Sequence, residues 1–257
     1  MTQLLTTELR KLLPYRTFWI ILLLYGALLV LFMYSSSAIT INGRQFGVEM
    51  YRFPGIWMRL TYIASYFNLL LGILMITLIT DEYAFRTFRQ QVIDGLFRRD
   101  LVAAKCLVTL LIGVVCTTFV ALTGLFFGLT YSPSWTVALV TQDVMHLVYY
   151  LVQALGYMSI AVFLAFLIKR NGLAILAFLL YTKVLEPLIH WRLDDAVDKY
   201  LPMKVFSSLT PTPGQEVLDS LTGPTIELSP QHAVLPALIY VGVLYLLSFV
   251  LLKLRDL

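Results

Sequence analysis

The amino-acid sequence predicts an all-α polytopic membrane protein. Three observations carry this reading. Of its 257 residues 59% are hydrophobic and only 13% are charged, against about 25% charged in soluble domains; mean hydropathy is +0.81; and the apolar residues gather into long uncharged runs, not at the period of a half-buried sheet. An ordinary water-soluble enzyme is excluded. The net charge of +4 belongs to short segments between apolar runs, which reads as membrane topology and not as a nucleic-acid surface.

Six runs are long enough, at 1.5 Å per residue, to cross a hydrocarbon core of about 30 Å: Thr17 to Tyr34, Leu60 to Thr80, Cys106 to Thr130, Val144 to Ile168, Gly172 to Trp191 and Ala233 to Leu252. Backbone groups in lipid must be paired within their own segment, so each run is expected to be a helix. The first run exceeds a signal-peptide core and is expected to be an uncleaved span. One membrane domain, residues 1–257, accounts for the whole chain. Cys106 and Cys116 sit ten residues apart on one helix, roughly 15 Å by the helical rise, too far for a disulfide.

Six spans put both termini on one side. That side holds Arg10, Lys11, Arg16, Arg86, Arg89, Arg98, Arg99, Lys105, Lys169, Arg170, Lys253 and Arg255. The other holds Arg44, Arg52, Arg59, Arg192, Lys199 and Lys204, with Lys183 inside the fifth run. The positive-inside rule therefore predicts cytoplasmic termini. Tyr15 and Trp19 fall at the expected inner interface, and Trp57, Tyr62, Trp135 and Trp191 at the outer one.

Residues 1–13 place Leu5, Leu9, Leu12 and Leu13 on one helical face, with Glu8, Arg10 and Lys11 elsewhere, and Pro14 ends the pattern. This predicts an interfacial helix on the cytoplasmic leaflet. The segment 192–232 carries five prolines and is too long to be a mere connector; part of it is expected to fold against the outer mouth.

Between the second and third runs, residues 81–105 form the densest charge cluster. Phe85, Phe88, Val92 and Leu96 share one helical face, and Arg86, Arg89, Gln90 and Asp94 occupy the other, which predicts an amphipathic helix ended near Gly95. Within it an acid, Glu82, is followed five positions later by Thr87, then by the basic pair Arg98 and Arg99, then by Lys105 seven positions after Arg98. This spacing, together with the N-terminal helix, six spans and a long outer insertion between spans five and six, resembles the permeases of ABC exporters of the second type. That family usually has Gly immediately before the Thr; here the position is Arg86.

The resemblance implies a permease subunit that pairs with a second permease chain, as a homodimer or heterodimer, to form a twelve-helix pathway. Two ABC ATPase subunits would dock on its cytoplasmic face in a plasma membrane of bacterial type. Residues 82–98 would be the coupling helix, with Glu82, Arg86, Thr87, Arg89, Arg98 and Lys105 as coupling residues. The sequence contains no GxxxxGK[ST] phosphate loop, so ATP and Mg are expected on the partner ATPase and no cofactor on this chain. The chain reads as a transport subunit and not as an enzyme.

Further candidates lie inside the spans. Lys183 and Glu186, with His190, share a face of the fifth span and are candidate pathway or gate residues, because ionisable groups at membrane depth are costly; a helix-end ion pair is the plainer reading. Gln153, among Tyr149, Tyr150 and Tyr157, is a candidate pathway residue or an interhelical hydrogen-bonding group. His190, Asp194, Asp195 and Asp198 lack a metal-ligand pattern, and no metal is predicted. Gly124 and Gly128 make a GxxxG that permits close helix packing. Asp81, Glu82 and Arg86 approximate the ExxxR of glutamate-type intramembrane proteases, but His146, His190 and His232 fall at the opposite side, so one site cannot form. A passive channel or structural anchor is the remaining alternative; it would need no nucleotide-hydrolysing partner.

Overall fold

The computed structural model describes residues 2–37, 51–190, 192–193, 195–215 and 228–254, and all regular structure among them is helical. The helices are α1 (Thr2–Leu12), α2 (Arg16–Ser37), α3 (Ile56–Tyr66), α4 (Asn68–Ala84), α5 (Thr87–Ile93), α6 (Arg98–Tyr131), α7 (Val137–Thr141), α8 (Met145–Ile168), α9 (Asn171–Leu180), α10 (Glu186–His190), α11 (Asp195–Asp198), α12 (Pro202–Ser208) and α13 (Pro230–Leu254). A π-helical turn, Tyr181–Leu185, joins α9 to α10.

Five of these elements are long and apolar enough to cross a membrane: α2, α6, α8, the α9–α10 stretch and α13. The sixth expected span consists of α3 and α4 together, bent by 43°. The break falls at Phe67 and Asn68, where Asn68 turns fully inward and hydrogen-bonds across the bundle. The fifth span changes winding where Pro187 removes one backbone donor and its ring crowds the carbonyl four residues back, Lys183. The π turn ending at Leu185 absorbs that conflict.

Helix α8 is the hub. It packs against α3, α4, α6, α9, α12 and α13, and 67% of its span is buried against 11% for α13. Its small residues explain the close approach: Ala154, Ala161 and Ala165 are fully buried, and a Cβ at Gly156 would lie 2.4 Å from the Phe206 ring. The outward faces of α2, α6 and α13 carry exposed leucine, valine and phenylalanine, as helices facing lipid do. Gly124 and Gly128 face their own bundle: a Cβ there would strike Trp57 at 2.7 Å and Phe53 at 2.3 Å. The GxxxG thus seats two rings of the same chain. Trp57, expected at an interfacial belt, is buried and donates its indole N–H to the Val140 carbonyl at 2.8 Å. Trp19 and Trp135 are exposed, and Trp191 lies outside the described residues.

Two elements differ from the sequence expectation. Residues 82–98 are not one helix. Glu82 belongs to the last turn of α4, Arg86 takes a left-handed φ of 57°, α5 is only seven residues long, and Gly95 (φ 96°) reverses the chain before α6. Phe85, assigned to the apolar face, is exposed; Phe88 is buried, and Val92 and Leu96 pack against the core beside it. In α1, Glu8 lies on the inward stripe with Leu12, and Leu13 is exposed. The helix packs on α6, because Lys105 of α6 supplies a buried cation that Glu8 meets.

Candidate functional site

Helix α1, the end of α4, α5, the start of α6 and the end of α13 meet on one face of the bundle. Arg98, in the first turn of α6, donates to the carbonyls of Leu252 (2.9 Å) and Lys253 (2.8 Å), satisfying orphan acceptors at the α13 C-terminus. The other member of the basic pair, Arg99, is exposed and lies over the Phe97 ring at 5.0 Å.

The turn between α4 and α5 explains the Glu-to-Thr spacing. The Thr87 hydroxyl donates to the Glu82 backbone carbonyl at 3.0 Å, closing the C-terminus of α4. The chain reverses at Arg86 in the left-handed region that favours glycine, the position where the resembling family usually has one. Arginine there projects a charge beyond the turn: Arg86 and Arg89 are both exposed, and with Glu82, Tyr83 and Phe88 they line a small cavity.

Behind this turn sits a closed ring of four charges. Lys105 Nζ lies 2.8 Å from Glu82 Oε1 and 2.5 Å from Glu8 Oε2; Lys11 Nζ lies 3.1 Å from Glu82 Oε1 and 2.6 Å from Glu8 Oε1. Two acids and two lysines cancel. The Lys105 side chain is 4% exposed, and its ammonium also lies 5.6 Å from the centre of the Phe88 ring. Tyr15, at the turn after α1, donates to Asp81 on the same face. Burial alone would push the Glu8 carboxyl up, but Lys105 and Lys11 outweigh it and hold the group below its ordinary value. Lys11 is raised in the same way: burial opposes its charge, and Glu82 and Glu8 restore more than burial removes. A cavity of about 220 Å³ opens against the ring, lined also by Leu12, Phe85, Thr87 and Val108.

Of the six coupling residues named from the sequence, the structure brings together Glu82, Thr87 and Lys105; Arg86 and Arg89 stand at the surface beside them, and Arg98 is tied to α13. Glu8 and Lys11 complete the ring unannounced. The signal was present at Glu8, which shares a four-residue spacing with Leu4 and Leu12.

The opposite end holds the other candidates. Gln153 is fully buried, donates to the Phe206 carbonyl (2.9 Å) and Thr210 hydroxyl (2.8 Å), and accepts from Asn68 (3.2 Å). Asn68 accepts from Tyr150 at 3.0 Å, and Tyr150 shares a 2.5 Å contact with the Tyr25 hydroxyl. This chain of side chains crosses from α2 to the segment after α12. Glu186 is buried and accepts the N–H groups of Met203 (2.5 Å) and Lys204 (3.3 Å), capping the start of α12. Lys183 is exposed. Asp198 pairs with Lys204 at 3.3 Å; the His190, Asp194 and Asp195 side chains lie outside the described residues.

Several apolar spans around a buried polar chain, with a charged knuckle at one end, define a multi-pass membrane protein. Residues 4–184 match the family model described as ABC-2 family transporter protein. The chain belongs to that family. Among curated proteins none matches it.

Proposed function

We propose that this chain is the membrane-spanning subunit of an ATP-driven exporter, coupled through the α4–α6 face to a separate ABC ATPase. The observation that carries the reading is the pairing of Glu82 with Lys105 beneath an exposed knuckle. Phe85, Arg86, Arg89, Ile93 and Phe97 all project from it into solvent. Exposed rings between guanidinium groups suit a protein partner, since aromatic and arginine side chains dominate binding hot spots. The buried ring behind them anchors the knuckle to α1, α4 and α6, so that displacement of α5 moves spans and not a free loop.

In this reading the termini are cytoplasmic, as the arginine and lysine distribution favours. Two such chains form the pathway, two ATPase subunits bind ATP and Mg below them, and the membrane is a bacterial plasma membrane. Export is preferred to import on the family resemblance. The test is co-expression with a candidate phosphate-loop ATPase. The exporter reading expects the two to copurify and the ATPase to turn over several-fold faster in the complex; an ATPase that purifies alone and is indifferent to this chain rejects it.

A further inference from the structure

At the end of the bundle away from α1, a cavity of about 230 Å³ lies between α3, α8, the fifth span and the segment after α12. Its lining is almost wholly hydrogen-bonding: Tyr62, Tyr66, Tyr157, Gln153, Thr210 and Thr212 among others, with Lys183 as the only charged residue among the described ones. Most of these groups are engaged. Gln153 and Thr210 bond each other, and the Tyr62 and Tyr66 hydroxyls pair at 2.6 Å.

Two groups are not. Tyr157 is only 8% exposed, yet its hydroxyl has no hydrogen-bond partner among the described residues. The residue lines the cavity, where a ligand could accept from that hydroxyl. Lys183 is the second: among the described residues no acid pairs with it. Glu186, one turn along, is not among the residues that line the cavity, and its Oε1 accepts from the backbone of α12. An ammonium without an acid partner and a phenol on one polar cavity, with no carboxylate in its wall among the described residues, describe a receptor for a negatively charged acceptor group.

We propose that this cavity binds an anionic headgroup, a phosphate or carboxylate, through Lys183 and Tyr157. Lys183 supplies the charge and Tyr157 the oriented donor. The site's place on an export path rests on the exporter reading above; its anion preference does not. An amphipathic anion fits best, because Lys183 lies in a lipid-flanked span whose neighbours Val184 and Leu185 are exposed.

The full chain in a neutral detergent, titrated with dioleoylphosphatidylglycerol and read by native mass spectrometry, tests this. Dioleoylphosphatidylcholine is the zwitterionic control and inorganic phosphate the competitor. Wild type should prefer the anionic lipid. Lys183→Gln should weaken that binding roughly tenfold, Lys183→Arg should retain it, and Tyr157→Phe, which removes only the hydroxyl, should weaken it about fivefold. Displacement by inorganic phosphate supports a free anion as ligand, and resistance to it supports a lipid-borne one. Equal binding of the two lipids, or an unchanged Lys183→Gln protein, overturns the proposal. ATPase copurification from the same preparation separates the two readings: anion binding without a partner fails the exporter alone, and a partner without anion preference fails this site alone.

Discussion

The Lys105 ammonium of α6 and the Glu82 carboxylate of α4 lie 2.8 Å apart, at the point where two membrane-spanning helices leave the bundle on either side of α5. Removing one member of a buried charge set leaves the others uncompensated. Lys105→Met should therefore destabilise the docking of α1 by about 3 kcal/mol, seen as faster hydrogen exchange in residues 4–12. Adding Glu8→Gln should cost much less than the sum of the single changes. Additive effects would show that the two do not interact.

The ring is also pH-sensitive, in a direction fixed by its shifts. Glu8 is held below its usual 4.5, so its contribution is complete above that value and fades as pH falls through the lowered folded value. Lys11 is raised above 10.5, so its contribution is complete below that value and fades as pH rises through the raised one. Exchange protection of α1 should be flat between these limits and fall outside them. In Glu8→Gln the acid limb should shrink; an unchanged acid limb contradicts the assignment.

Packing against α8 gives a sharper test. Gly156→Ala would bring a Cβ to 2.4 Å from the fully buried Phe206 ring, an overpacking expected to cost about 1–3 kcal/mol. Gly242→Ala meets nothing within 4 Å and should be neutral or slightly stabilising. Thermal unfolding in detergent should rank Gly156→Ala well below wild type and Gly242→Ala at or above it.

Glu186 is expected to act as a structural cap. Glu186→Leu strands the Met203 and Lys204 donors and should cost about 1–3 kcal/mol, with earlier proteolysis between residues 199 and 209. Glu186→Gln keeps an acceptor and should lose less. Equal loss in both would mean that the charge, and not the cap, is what matters.

The six apolar runs were legible because lipid demands long uncharged helices, a constraint written directly in composition. The break at Phe67 was not, since it arises from Asn68 reaching Gln153 85 residues away. The spacing of Glu82, Thr87 and Lys105 carried the site, and its physical content is local for Thr87, which closes the helix end, and long-range for Lys105. Hydrophobic patterning reads an acid as solvent-facing and so places Glu8 on the polar side of an interfacial helix. Only the presence of a buried lysine on another helix reverses that. A lysine seven residues inside a long apolar helix already calls for carboxylates, and Glu8 and Glu82 answer it.

Coupling to an ATPase requires that the knuckle at Arg89 be gripped by another polypeptide. In a protein lacking Cys106 and Cys116, a photoactivated crosslinker on Arg89→Cys should capture the copurifying ATPase, and the same probe on Ser207→Cys, exposed at the opposite end, should not. Capture from Ser207→Cys, or none from Arg89→Cys in a complex that still copurifies, would contradict it.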